Sequence, residues 1–285
     1  MKKAYLTIIW SITIVCIVAG TLYHVGSFAS GFSFMSHGPF AHVADSGNNT
    51  VVSDAMELDI LSREAALEID GDLMDFTIQK GDSWNVEYEC TEYLEPEIKV
   101  DEKANGKTQI TITQPNASKY IGNNFNNVNC KLTLTMPADA SISDCNVYLD
   151  LGDMDIYGVT ADVVDVQMDL GDMDIDNCDF NKLTIVSDLG DVTIQNSKIG
   201  SGDIEADLGN TDVLNCDFKD MKVVADLGDV DIDSKSNLDE YTIDAEIDMG
   251  ELKLNNSKYG EEYHQNGKAG TLTIDASMGD AVITW

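Results

Sequence analysis

Between residues 150 and 229 the tetrapeptide Asp-Leu-Gly-Asp returns at a fixed step. It stands at Asp150–Asp153, Asp169–Asp172, Asp188–Asp191 and Asp226–Asp229, with a copy at Asp207–Asn210 that ends in asparagine. The glycines Gly152, Gly171, Gly190, Gly209 and Gly228 are 19 residues apart each time. Degenerate copies follow at Asp248-Met249-Gly250-Glu251 and Ser277-Met278-Gly279-Asp280. A step near 20 is too short for a domain and too regular for chance; it marks one coil of a solenoid laid on the last. The chain is therefore expected to be all-β, a parallel β-solenoid of about 19 residues per coil.

Counting from the glycine exposes the expected cross-section. Five places before it stand Val147, Val166, Ile185, Ile204 and Val223, and three before stand Leu149, Met168, Ser187, Ala206 and Ala225. One before are Leu151, Leu170, Leu189, Leu208 and Leu227. Period-two alternation assigns all three columns to the interior. After the glycine the apolar positions become plus two (Met154, Met173, Val192, Thr211, Val230) and plus four (Ile156, Ile175, Ile194, Val213, Ile232). Alternation thus breaks at the glycine, which implies a bend that re-aims the strand. Ten places before it, Ile142, Ala161, Phe180, Ile199 and Phe218 supply another wall. Asn177, Asn196 and Asn215 share a phase six places after the glycine and read as corner residues bonding coil to coil.

Ahead of the repeats the chain changes character twice. Lys2 and Lys3 precede a run without Asp, Glu, Lys or Arg from Ala4 to Val25, bracketed by Tyr5 and Tyr23. As a helix, the distance between those tyrosines is about 27 Å, close to a hydrocarbon core of roughly 30 Å. This predicts a transmembrane anchor over residues 1–25 with the remainder outside; a signal peptide cleaved after Val18-Ala19-Gly20 is the competing reading. Residues 26–54, rich in Gly, Ser and Asn, read as a flexible stalk, and His37 and His42 within it as incidental. The domain is expected over residues 55–285. Its opening alternations, at Leu67–Ile69, Phe76–Ile78, Val86–Tyr88, Ile98–Val100, Ile110–Ile112 and Leu132–Leu134, predict strands of a cap and first irregular coils. Asn105-Gly106 is expected to turn a hairpin. The insertion from Asn255 to Gly270 reads as a loop, either a binding face or a tolerated surface excursion.

Of the cysteines beyond the anchor, Cys90 and Cys130 lie at strand edges where an antiparallel step can pair them. Cys178 and Cys216, two coils apart, are too distant for a disulfide and read as small buried residues.

Fifty-one acidic residues against 17 basic ones give a formal charge of −34. Such a surface repels nucleic acid and anionic lipid headgroups, which excludes binding through phosphate contacts. The periodic apolar residues, 43% of the chain, set it apart from acidic disordered sequences. Asp150, Asp169, Asp188, Asp207 and Asp226 are expected in one column, and Asp153, Asp172, Asp191 and Asp229 in another. Like charges about 4.8 Å apart repel by about 1 kcal/mol in water and about 3 kcal/mol at an effective dielectric near 20. Two readings relieve that repulsion: solvated or backbone-capping carboxylates, or weak divalent-cation columns, with calcium the fitting ion.

Two stretches, Leu67-Glu68-Ile69-Asp70-Gly71-Asp72 to Phe76-Thr77-Ile78 and the recurrent units such as Leu189 to Ile194, resemble the bacterial "putative adhesin" family. That family is a domain of unknown function built of β-strand repeats in cell-envelope proteins. The resemblance covers roughly residues 63–285. It implies a right-handed β-solenoid on the outer surface of the cell, commonly tethered by one membrane helix, and it assigns no catalytic residue. The expected function is a membrane-tethered, non-catalytic surface or adhesion module, whose partners are other envelope proteins or surface polymers. The alternative is a calcium-dependent polysaccharide lyase or hydrolase, which needs an unrepeated acidic pocket beside a basic residue.

Overall fold

The repeating unit is one long strand and one short strand joined at a glycine corner, and it is placed in a computed structural model that describes residues 51–60, 62–103, 107–115 and 130–285. The apolar run Ala4–Val25, most of the stalk and the Asn105-Gly106 turn lie outside these residues. Among the described residues no helix is long and apolar enough to cross a membrane.

The chain opens with β1 (Val51–Glu57), β2 (Glu64–Gly71), β3 (Asp75–Gly81), β4 (Asn85–Thr91), β5 (Glu97–Glu102), β6 (Thr108–Thr113) and β7 (Cys130–Pro137). The regular coils follow as β8 (Ser141–Leu151) with β9 (Met154–Tyr157), β10 (Thr160–Leu170) with β11 (Met173–Asp176), and β12 (Asp179–Leu189) with β13 (Val192–Gln195). β14 (Lys198–Leu208) leads into β15 (Thr211–Leu227), whose first residues join the short-strand sheet and whose later ones join the long-strand sheet. The chain closes with β16 (Val230–Ser234), β17 (Thr242–Met249), β18 (Leu252–Leu254), β19 (Ser257–Tyr259), β20 (Glu262–Gln265), β21 (Thr271–Met278) and β22 (Ala281–Thr284). β1 takes in Val51–Asp54, which composition alone assigns to the stalk. It is exposed along its length and carries no alternation to announce it.

The long strands pair in parallel and in register, so Val147, Val166, Ile185, Ile204 and Val223 lie side by side. The columns at minus ten, minus five, minus three, plus two and plus four are all buried. A further inward column, Cys145, Val164, Leu183, Gly202 and Met221, keeps the parity of minus five; the ladder is interrupted at Asp162, and beyond it the inward parity shifts to the minus-ten column. A Cβ on Gly202 would come within 2.6 Å of the Met221 sulfur, so the large side chain of one coil fills the room left by the small one of the next.

The order of coils departs from the order of sequence at both ends. β2 and β3 lie between the β6/β7 coil and the β8/β9 coil. At the far end β21 and β22 insert between the β15/β16 coil and the β17/β18 coil. The terminal coils are covered by antiparallel strands: β5 on β6, β4 on β7 and β1 on β4 at one end, β20 on β17 and β19 on β18 at the other. An open parallel edge is a template for aggregation, and these strands blunt it. Most of the Asn255–Gly270 insertion is therefore an end cap rather than a free loop, because its two strands pair with the outermost coil. Cys90 and Cys130, opposite each other on β4 and β7, form a disulfide that ties the N-terminal cap. Cys145, Cys178 and Cys216 are buried free thiols.

Two corners turn each coil. At one, Asn177, Asn196 and Asn215 adopt φ of 57°, 53° and 52°, and Asn196 Nδ2 donates to Asp176 at 2.8 Å. At the other, Gly152, Gly171, Gly190, Gly209 and Gly228 have φ between 137° and 158°, a region closed to side-chain-bearing residues. A Cβ on Gly190 would stand 1.9 Å from the carbonyl oxygen of Gly171, so successive backbones stack there with no room for any substituent.

The minus-one leucines are not interior. Leu151, Leu170 and Leu189 are 40%, 45% and 44% exposed. Each long strand runs on to this residue, but the opposing short strand starts only three residues later and supplies just two inward side chains. The leucine overhangs the corner and is only partly covered.

Substitutions at one corner should therefore separate in urea melts. Ile185→Asn, which buries an amide among apolar neighbours, should cost about 3 kcal/mol or more. Gly190→Ala should cost a similar amount through backbone strain. Leu189→Asn should cost less than about 1 kcal/mol; a loss matching that of Ile185→Asn would place Leu189 inside.

Candidate functional site

The residues before the glycines form a ladder, exposed at Leu151, Leu170, Leu189 and Met249 and half-buried at Leu73, Leu208, Leu227 and Met278, that follows the stack rather than the sequence. Leu170 pairs with Leu151, Leu189 with Leu208, Leu208 with Leu227, and Met249 with Met278. The remaining joints are made by the next residue's amide: Gly171 N–H donates to Leu189 O, Gly228 N–H to Met278 O, and Met74 N–H to Leu151 O. The ladder is thus Leu73, Leu151, Leu170, Leu189, Leu208, Leu227, Met278 and Met249, about 34 Å long at about 4.8 Å per rung. Its first rung exposes a copy of the repeat that a search for glycine misses. Asp72-Leu73-Met74-Asp75 aligns with Asp150-Leu151-Gly152-Asp153, with buried Met74 in the glycine place.

An acidic rail flanks the ladder on either side. The plus-one rail is Asp75, Asp153, Asp172, Asp191, Asn210, Asp229, Asp280 and Glu251. In it, the side chain of each coil accepts from the backbone N–H of the next. Asp172 N–H donates to Asp153 Oδ1 at 3.0 Å, Asp191 N–H to Asp172 at 2.9 Å and Asn210 N–H to Asp191 at 2.7 Å. The run continues from Asp229 to Asn210, Asp280 to Asp229 and Glu251 to Asp280. A bond from an N–H to a carboxylate is worth about 1.5–3 kcal/mol, against about 1 kcal/mol of repulsion between exposed neighbours, so the bond wins. Asn210 fits the rail because its carbonyl oxygen accepts in the same way. Of the two readings of this column, the backbone-capping one describes Asp153, Asp172, Asp191 and Asp229.

The minus-two rail is Asp72, Asp150, Asp169, Asp188, Asp207, Asp226, Ser277 and Asp248. Lysines attend the ends of the edge. Lys131 lies 3.7 Å from Asp75, and Lys253 and Lys258 pair with Glu251. The five central rungs, Leu151 to Leu227, have no such partner among the ion pairs of the described residues. Nor, among the described residues, do three or more His, Cys, Asp or Glu side chains group so as to hold a metal ion.

One unrepeated cleft of about 570 Å³ lies at the N-terminal cap, where Glu57, Asp59 and Asp82 approach Arg63 and Trp84. Two of its polar groups are engaged by the cap itself: Arg63 pairs with Asp139, and the Trp84 indole donates to Ser62 O at 3.3 Å.

The sequence profile of the Toastrack DUF4097 family matches residues 65–284. The chain belongs to that family. Among solved structures it is similar to a "putative cell adhesion protein" from Clostridium sporogenes, at 15% identity over 82% of this chain and 99% of that one, with a TM-score of 0.42. It is also similar to a "putative adhesin" from Bacteroides fragilis (12%, 84% and 98%, TM-score 0.41). A third is a "putative lipid binding protein" from Parabacteroides distasonis (10%, 84% and 95%, TM-score 0.30). No curated protein matches the chain.

Crowding and partial burial act on the carboxylates of this Toastrack solenoid. Burial, then the charges of Asp150 and Asp188, raises Asp169 above its ordinary 3.8. Asp207 is raised by burial and then by Asp226, Asp188 and Glu205. On the outer face of the short strands, burial is again the largest cause for Asp174, Asp212 and Asp231, followed by neighbouring aspartates. Folded values above unfolded ones mean that the folded form holds more protons in the interval between them. The stability these groups contribute is complete below 3.8 and is lost as pH rises through their folded values. The domain should therefore melt at a higher temperature in mildly acidic than in neutral buffer, and sodium chloride should narrow the difference. Equal melting temperatures in the two buffers would show that the folded values of these carboxylates are not raised by burial and neighbouring charge.

Proposed function

We propose that this chain is a non-catalytic, single-pass membrane protein whose Toastrack solenoid stands outside the cell as an adhesion or envelope-interaction module. The observation that supports this reading best is the edge: a fold that buries its other apolar columns leaves one of them in solvent between acidic rails. Contiguous exposed apolar surface rimmed by polar groups marks interaction sites. The disulfide at the N-terminal cap accords with an oxidising compartment. The winding that goes with this reading is right-handed at about 19 residues per coil, as crossovers between parallel strands of one sheet are. Other envelope proteins or surface polymers are the partners it anticipates. Weak divalent cations, calcium foremost, serve in it as counter-ions of the minus-two rail. A lyase or hydrolase needs a unique pair of carboxylates, whereas those of the edge recur rung after rung in one environment, which favours binding over catalysis.

The test is made on cells producing the full chain. Intact-mass measurement of the membrane fraction should return an uncleaved N-terminus, and protease added to intact cells should remove the solenoid. A mature N-terminus near Thr21 would replace the anchor by a signal peptide. A solenoid shielded from protease in intact cells but degraded on lysis would contradict the external placement.

A further inference from the structure

We infer that the leucine edge is a docking track for a cationic amphipathic helix, one whose apolar row is bordered on both sides by lysines or arginines. This rests on the reading of the edge as the interaction face and adds what it takes. The ladder offers a continuous apolar row, and the rails on its two sides carry carboxylates at almost every rung. The partner must match both features.

Charge selects among the possible occupants. A second copy would bring its own acidic rails against these. An anionic membrane surface would meet the same repulsion, and a bare polycation would leave the leucines uncovered. Among the described residues the protein's own lysines pair with the plus-one rail only at its ends: Lys131 with Asp75, Lys253 and Lys258 with Glu251. Over the five central rungs the rails keep their charge, and the chain's net −34 adds a field that draws cations in.

Spacing selects the conformation. A helix presents one apolar position per turn every 5.4 Å, against about 4.8 Å per rung. Over the four intervals from Leu151 to Leu227 the mismatch accumulates to about 2.4 Å, half a rung, which side-chain rotamers absorb. A β-strand repeats each face every ~6.8 Å and falls a full rung out of step within about three rungs. The helix would lay its apolar face along the projecting leucines, with its flanking cations against the two rails.

The experiment uses the full chain in phosphatidylcholine nanodiscs, with empty discs as the blank, and labelled Leu/Lys peptides of about 14 residues, a helix of about 20 Å. One peptide keeps the leucines on one helical face, one has the same composition scrambled, and one replaces Lys by Glu. The facial peptide should bind at least about tenfold more tightly than the scrambled one, and the Glu peptide should not bind. Leu170→Asn with Leu189→Asn should weaken the facial peptide about tenfold with an unchanged melt; Leu170→Ala with Leu189→Ala is the milder pair should the first not fold. Asp169→Asn with Asp188→Asn should flatten the salt dependence. Equal binding of the scrambled peptide, or indifference to both leucine pairs, would overturn the proposal. So would tighter binding to phosphatidylglycerol vesicles, or a dimer that the leucine variants dissociate. Failure of the localisation test would leave these affinities untouched, which keeps the two claims separate.

Discussion

The structure depends on backbones meeting at the glycine corner. There the amide of each glycine donates to the residue preceding the glycine of the next coil, and glycine atoms approach one another closely enough to exclude any Cβ. That contact fixes the pitch, and the pitch brings every other column into register: the isoleucines and valines inside, the asparagines at the opposite corner, the aspartates outside. One step later the carboxylate rail repeats the coupling with a side chain as acceptor. Each rung is thus fastened to its neighbours at the corner by one backbone bond and one side-chain bond beyond the strand ladders. No rung is self-sufficient, and the ends need the antiparallel strands that cap them.

The same geometry explains why a stable fold leaves leucines in water. The long strand has 11 residues and the short strand four, so the interior is shorter than the strand that walls it. The residue before the glycine projects past the end of the interior. Moving the corner one residue earlier to bury it would misalign the glycine contact. A polar residue at this place is expected to cost the fold less than one at a buried column, which leaves the leucines free to serve the docking role proposed above.

Much of this was legible in the sequence. The fixed step announced a stack of parallel strands, and the columns at minus five, minus three, plus two and plus four follow from alternation because both strands are regular there. Asn177, Asn196 and Asn215 were recognisable as corners by composition and phase. Three things were not legible. Leu189 kept the parity of Ile185, and parity says nothing about where the opposing sheet begins. The insertion of β21 and β22 inside the β17/β18 coil is a matter of pairing order, which the spacing of Gly250 and Gly279 does not encode. Asp72-Leu73-Met74-Asp75 escaped because Met74 replaces the residue that defines the motif. For the site, the sequence marks the aspartate columns but not their separate roles. What separates them is direction: Asp172 faces a backbone amide of the next coil, and Asp169 does not.

The central claim is that the exposed corner, and not the interior alone, fastens coil to coil. Amide hydrogen exchange resolved to single residues tests it most directly at the N–H groups of Asp172, Asp191 and Asn210, which lie on the surface. If the carboxylate rail holds as described, these amides exchange as slowly as that of buried Val192 and lose protection together with it as denaturant is added. Exchange at the rate of an open loop, with Val192 still protected, would show that the corner bonds do not bind the coils and that the account is wrong.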